Sequence, residues 1–551
     1  MWPLTVILLL CTVVSCFPCF RNCMSILDDM PFHLARIQSI AANLKLGNIL
    51  PTIYSDSING FGYASALFYP DLWLYIPAIS FLSGLELIRA YQVFLVLITV
   101  ITAISMYHST RRMLTNLDIG HYYHFSPCRF LTVEQQLSIL ATIVYITFPY
   151  RLINVYFRGA LGEVLSFVFL PVIACGLTEI YCDRKKRWHI LALGMTGLIY
   201  SHIISSLMAV ICILLAMLIN FRQSWQQRHA LLKAVLLTAC LSAAFILPLI
   251  EQMQSNQFYY NTKNPFGSLA DQAIKVGVSH SSLSLLMVHF IAISLAYYCH
   301  YKLKQRQWYP RIALMTFITL YLSIMTTSLF PWDILAEIPL LKYIQFPWRL
   351  FSLVTYTFSI LSALVFLHLL SKKSSFWYFS LVTIIIASGF ILTNIMMQSS
   401  APYAQPVTYR PPAISVGRAE YLPAKVKISS IARRETIPLA LEGKLTIEQY
   451  SKSGNKIELK FDNASSILTI EFPVIFYKGY KAYLNRSPLP VSESSNGLIE
   501  TTIQNTGSGH IVILYEHTRV YLLAYLISFM TAVYMVYRYF FRSETESLKK
   551  L

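Results

Sequence analysis

The chain has 551 residues, 56% of them hydrophobic and only 13% charged, with a mean hydropathy of +0.53, which excludes an ordinary soluble globular protein. The formal charge of +18 lies in short basic clusters between long apolar runs, which argues for positive cytoplasmic loops and against a nucleic-acid-binding face. The sequence therefore reads as a polytopic α-helical membrane protein.

In chain order, the apolar runs read as spans are 2–20, 89–107, 135–150, 161–179, 189–205, 206–221, 231–250, 281–299, 311–329, 353–370, 375–396 and 519–541, about twelve transmembrane helices. Residues 2–20 have no basic n-region and no small-x-small cleavage site, so a retained first span is expected rather than a signal peptide. A further run, 66–84, contains Asp71 and two prolines. Counting it as a span would break the alternation of basic loops, so it reads as half-inserted or interfacial. Both termini are then expected inside, with the loop 21–88 outside.

The ten cysteines give no pair spaced for a disulfide framework or zinc site in the polar part of the chain. That polar part, 400–518, carries period-2 runs such as "KIELKFDN" and "ILTIEFPVIFY" between turn signals such as "SKSGNK" and "NTGSG". It reads as a β-sandwich-like domain on the external face, tied down by a last helix and basic tail, 519–551. Residues 1–399 then form the membrane module. No Walker loop, nucleotide fingerprint or internal repeat is visible in the sequence.

Ionisable groups near span ends are costly unless paired, wetted or used. "DDMPFHLARIQS" (28–39) opens the external loop and reads as a short helix on which Asp29, His33 and Arg36 share a face. Asp28 and Asp29 either cap this helix or supply a general base. In "YRLINVYFRGALGE", Arg151 and Arg158 read as outer arginines suited to a phosphate, against the plainer reading of interfacial snorkelling. Glu163 lies five residues beyond Arg158, a poor spacing for a pair within one helix, so each is expected to find its partner elsewhere. His202 in "IYSHIISS" sits at a turn, where its side chain either serves the site or satisfies a buried helix end. Arg349 in "YIQFPWRLFS" enters a span from outside, with Asp333 and Glu337 as alternative ion-pair partners.

The order of an inside N-terminus, a first span, an external loop opening with an acidic helix, "NILPTIYSDSINGFGYASALFYPDLWLYIP", and then a span ending in an arginine pair resembles the GT-C class of integral membrane glycosyltransferases. Together, "FHLARI", "GFGY", "VYFRGALGE", "SHIISS", "QFPWRL" and "EYLPA" resemble the bacterial membrane proteins labelled 6-pyruvoyl-tetrahydropterin synthase-related, close to the YfhO-like group. The resemblance implies a GT-C-like fold in the bacterial cytoplasmic membrane. It implies transfer of one sugar from a polyprenyl-phosphate donor to an extracytoplasmic envelope glycan, polymer or lipid, by inverting displacement. The catalytic acid falls on Asp29 or Asp28, with His33, Arg36, Asp56, Arg151, Arg158, Glu163, His202 and Arg349 about the substrates, and Asp56 or Glu163 as candidate second acid. Some relatives use a divalent metal; Asp28 with Asp56 does not by itself require one. Membrane lipids, a donor-synthesising glycosyltransferase and a flippase are the implied partners. Two other functions stay open: a transporter or flippase of a lipid-linked saccharide, and a noncatalytic envelope scaffold.

Overall fold

The computed structural model describes residues 2–117, 127–128, 130–182, 187–259, 273–274, 309–335, 344–370, 373–412, 420–505 and 507–548. The chain divides into two compact units. One comprises Met1–Met30, Ile88–Thr238 and Phe266–Thr408; the other comprises Pro31–Leu87, Ala239–Pro265 and Tyr409–Leu551.

Six helices among the described residues are long and apolar enough to cross a membrane: Leu87–Asn116, Leu161–Cys182, Arg228–Ser255, Pro347–Leu367, Ser375–Tyr403 and Arg519–Arg538. A seventh span arises if Val133–Thr147 and Pro149–Tyr156, which meet at a 42° bend, count as one. The bend falls at Phe148, whose extended backbone precedes Pro149, as the residue before a proline prefers. The described residues thus show six or seven such helices against the twelve spans expected. Several of the predicted runs fold as shorter helices, Trp2–Ser15, His189–Ile199, Ile203–Ile219 and Tyr309–Met325. At about 1.5 Å rise per residue these fall below the ~20 residues a perpendicular span needs. The run 281–299 lies outside the described residues. The run 66–84 breaks at Pro70 and Asp71 into Ser65–Phe68, Leu72–Leu74 and Tyr75–Leu82.

In the first unit the helices share one apolar core, in which Val133–Thr147 is buried along nearly all its length beside Phe351–Leu370 and Ser375–Ser400. The helix Leu161–Cys182 packs closely on His189–Ile199. A Cβ at Gly176 would stand 2.3 Å from the backbone nitrogen of Leu191, so only glycine permits this approach. A two-stranded ribbon of β1 (Cys23–Ser25) and β2 (Ala404–Pro406) also belongs to this unit.

The second unit holds the β-rich region. Strands β3 (Leu439–Glu442), β6 (Ile467–Ile475), β10 (Leu498–Gln504) and β9 (Ser492–Glu493) form one antiparallel sheet in that order. Strands β4 (Leu445–Ser453), β5 (Lys456–Asn463), β11 (Ser508–Tyr515), β7 (Tyr480–Leu484) and β8 (Ser487–Leu489) form the other. Alternation along β5 buries Ile457, Leu459 and Phe461 and turns Lys456, Lys460 and Asp462 outward. Residues from both sheets join one core with Ile53, Ile58, Phe61 and Phe68 of the long loop. The strand orders are open, so the region is two sheets over a shared core rather than a closed structure.

Candidate functional site

The first unit gathers polar side chains from four separate segments. The first is the turn 27–30, closed by the Met30 N–H donating to the Leu27 carbonyl at 3.0 Å. In this turn Asp28 takes the left-handed conformation, φ 41°, which a non-glycine residue adopts at some cost. The backbone N–H of Asp29 donates to the Arg158 carbonyl at 3.0 Å. Gly159 follows at φ +59°, and a Cβ there would lie 2.7 Å from that of Met30. The glycine thus serves both the turn and the approach of the acidic loop.

Arg158 lies beyond the end of the helix Pro149–Tyr156, and the next helix starts at Leu161. With the helix broken between them, Arg158 and Glu163 pair directly, Nη1 to Oε1 at 3.0 Å. The expectation of separate partners fails because the helical spacing rule requires a continuous helix. Glu163 is 3% exposed and its carboxylate is shared by four donors. Arg158 Nη1 and Arg349 Nε reach Oε1, each at 3.0 Å; the Tyr150 hydroxyl and Asn154 Nδ2 reach Oε2 at 2.5 and 3.2 Å. Arg158 also donates to Asn154 Oδ1 at 2.7 Å.

Arg349 is set by the short helix Pro347–Leu350. It donates to the Ile344 carbonyl at 3.2 Å and to Gln345 Oε1, and lies over the Phe346 ring, 4.9 Å from its centroid. Gln345, at φ 63°, is a second left-handed residue in the site. Among the described residues the ion pair of Arg349 is to Glu163, not Asp333; Glu337 lies outside them.

Asp29 is open to solvent and yet closely surrounded by protein. Lost hydration pushes its carboxyl above the ordinary range, Arg158 and Arg349 pull it back down, and Glu163 and Asp28 add to the rise. His202 is buried near these charges, and its Nδ1 accepts from the Ser205 N–H at 3.3 Å, capping the helix Ile203–Ile219. Of its two sequence readings, the structure shows the cap.

Arg151 stays apart from this cluster. It is 1% exposed and donates to the Ile146 carbonyl at 3.0 Å and Thr99 Oγ1 at 2.8 Å. His33 and Arg36 belong to the second unit, and the helix that carries them begins at Met30, so Asp29 precedes it instead of sharing its face. There Arg36 pairs with Asp71, donates to the Tyr69 and Pro70 carbonyls at 3.2 and 2.8 Å, and meets His33 Nδ1 at 3.2 Å. Tyr54 also donates to Asp71, and the guanidinium lies 4.5 Å from the Tyr69 ring centroid. Asp56, also in this unit, accepts from Ser39 Oγ at 3.2 Å. No group of three or more His, Cys, Asp and Glu suited to a metal occurs among the described residues.

Tyr150, Asn154 and Gln345 escaped the sequence reading. Tyr150, Asn154 and Arg158 recur every four residues, a polar stripe in an apolar stretch that was open to view. Nothing local marks Gln345.

Six or seven long apolar helices among the described residues, a separate β-rich region and a buried arginine–glutamate cluster define a multi-pass membrane protein. The chain belongs to the family described as "Family of unknown function (DUF6541)", which matches residues 1–335. The match takes in Asp29, Arg158, Glu163 and His202 but stops short of Arg349. The family is this one rather than the YfhO-like group to which the motifs pointed. Along nearly its full length the chain is similar to an uncharacterized protein of Lactococcus lactis subsp. cremoris (strain MG1363), at 22% identity over 588 residues, covering 96% of this chain and 93% of that one. Among solved structures it has a weak likeness to the mycobacterial arabinofuranosyltransferase AftD, with a TM-score of 0.42 and 12% identity over 72% of this chain. The chain spans about a quarter of AftD, 26% of its length.

Proposed function

We propose that this protein is a membrane glycosyltransferase that moves one sugar from a polyprenyl-phosphate donor to a hydroxyl of an envelope glycan, polymer or lipid outside the cytoplasm. Asp29 removes the proton of the acceptor hydroxyl, whose oxygen attacks the anomeric carbon. The bond from that carbon to the phosphate oxygen breaks, its electron pair stays on the phosphate, and the anomeric centre inverts. Arg158 and Arg349 hold the phosphate as its charge grows. In this reading the β-rich region and the Asp29 site face outward and both termini lie inside.

The observation that carries the reading is the main-chain bond that holds an accessible carboxylate against an arginine. With Asp29 ionised, Arg158 and Arg349 face three carboxylates, Asp28, Asp29 and Glu163, and the cluster carries one net negative charge. Once Asp29 has taken the acceptor proton, the cluster becomes neutral, a step toward positive that matches the negative charge arriving on the leaving phosphate. Glu163, whose oxygens are all engaged, acts as the anchor of the arginines and not as a second acid.

The test compares purified wild type with Asp29→Asn on a panel of radiolabelled polyprenyl-phosphate monosaccharides, with envelope extract as acceptor. Transfer by the wild type that collapses in the variant, while donor binding persists, is expected. Transfer of intact donor lipid across proteoliposomes by both proteins, with no sugar released, would overturn the reading in favour of a flippase.

A further inference from the structure

A second polar site lies at the far end of the helix that carries Glu163. Glu179 is sixteen residues further along Leu161–Cys182, about 24 Å away at ~1.5 Å per residue. That distance approaches the thickness of a hydrocarbon core, so the two glutamates lie toward opposite ends of a helix long enough to span one. Beside Glu179 a cavity of about 520 Å³ opens, within the ~300–1,000 Å³ range of small-ligand sites.

Three arginines line it. Arg111 and Arg112 come from the last turns of Leu87–Asn116, where His108, Arg111, Arg112, Thr115 and Asn116 recur at helical spacing and make one polar face. Arg187 comes from the segment leading into His189–Ile199. Arg112 Nε pairs with Glu179 Oε1, which also accepts from Asn116 Nδ2 at 2.9 Å. Glu179 is 1% exposed, while Arg111 and His108 are open to solvent. Among the described residues Glu179 is paired with Arg112, and the guanidiniums of Arg111 and Arg187 line the same cavity.

Positive cytoplasmic loops need basic residues, and a helix C-terminus favours them. Neither requires that guanidiniums from separate segments converge on a concave space. A cavity walled by like charges focuses their field, and arginine presents a fork of donors matched to phosphate oxygens. We infer that the cavity lined by Arg111, Arg112 and Arg187 binds a phosphate group, presented either by the headgroup of an anionic lipid or by a soluble phosphate compound. The site is separate from the Asp29 cluster and does not depend on the reaction proposed there.

The full-length protein is reconstituted in phosphatidylcholine nanodiscs and titrated with inorganic pyrophosphate, with thermal midpoint and binding as readouts. In parallel, phosphatidylglycerol retained after purification from mixed lipid is measured. The same is done for the Arg111→Gln/Arg187→Gln pair, which spares the Arg112–Glu179 contact, and for Arg111→Lys/Arg187→Lys, which keeps charge but loses the fork. Pyrophosphate binding that weakens on the order of tenfold or more in the Gln pair, and less in the Lys pair, identifies a soluble phosphate. Retention of phosphatidylglycerol that is lost in the Gln pair, with no response to pyrophosphate, identifies a headgroup. Equal behaviour of wild type and a folded Lys pair and Gln pair toward both probes, or no response of the wild type to either, would overturn the proposal.

Discussion

The backbone N–H of Asp29 donates to the carbonyl of Arg158 at 3.0 Å. The candidate base and a candidate phosphate ligand are thereby registered by main chain, which is stiffer than any pairing of their side chains. Gly159 is the condition for that registration, since any side chain there meets Met30.

Gly159→Ala should therefore push the acidic loop off the Arg158 turn. The left-handed backbone alone disfavours alanine by roughly 1 kcal/mol or more, and the contact with Met30 adds to it. The expected result is a lower thermal midpoint and a fall in sugar transfer of about 100-fold, because small misplacements of reacting groups cost that much. A variant with wild-type transfer rate would show that this registration is unimportant.

Glu163→Gln takes away the one carboxylate shared by Arg158 and Arg349. Breaking a buried ion pair from one side costs about 3–5 kcal/mol, since the cations are left without compensation. Unfolding in detergent should show a loss of that order, with part of it recovered when Arg349→Gln is combined in a double-mutant cycle. Additive losses would mean that the two residues are not coupled.

Asp29 titrates above the usual carboxylate range, so the folded protein holds this proton more tightly than the unfolded chain does. Its contribution to stability is present at low pH and is lost as pH rises through the raised value. Asp29→Asn should accordingly raise the thermal midpoint at neutral pH, with the gain shrinking on acidification. Transfer, which needs the ionised form, should fall as pH drops through the same value, above the ~4 of an ordinary aspartate. Melting curves and a pH–rate profile check both signs.

Arg36 and Asp71 form a buried pair in the second unit, with side chains 2% and 10% exposed. Asp71→Leu alone should destabilise by about 3–5 kcal/mol, while Arg36→Met together with Asp71→Leu should recover most of the loss, as apolar replacement of a whole buried pair often does. Denaturation monitored by tyrosine fluorescence separates these outcomes. Equal losses in the single and double variants would give Arg36 a role beyond pairing.

The β-rich region was legible because strand alternation is local: "KIELKFDN" announces its buried face by itself. The Arg158–Glu163 pair was not, since its geometry depends on where a helix stops, and the motif "VYFRGALGE" does not declare that Phe157 to Ala160 leave the helix. Arg36 was misjudged for a related reason. Its partner, Asp71, lies 35 residues on in a segment set aside as interfacial, and sequence proximity favoured Asp29 instead. Helix length was not legible either: several apolar runs fold as helices of 10–17 residues among the described residues, which hydropathy cannot tell from full crossings.

The helix Leu161–Cys182 is pinned near one end through Glu163, near the other through Glu179, and against its neighbour at Gly176. A piston stroke or a roll about its axis would have to rupture the charge pairs of a buried carboxylate at each end while forcing apart a glycine contact that has no slack. This helix is consequently a strut. Any moving part must be sought outside this helix.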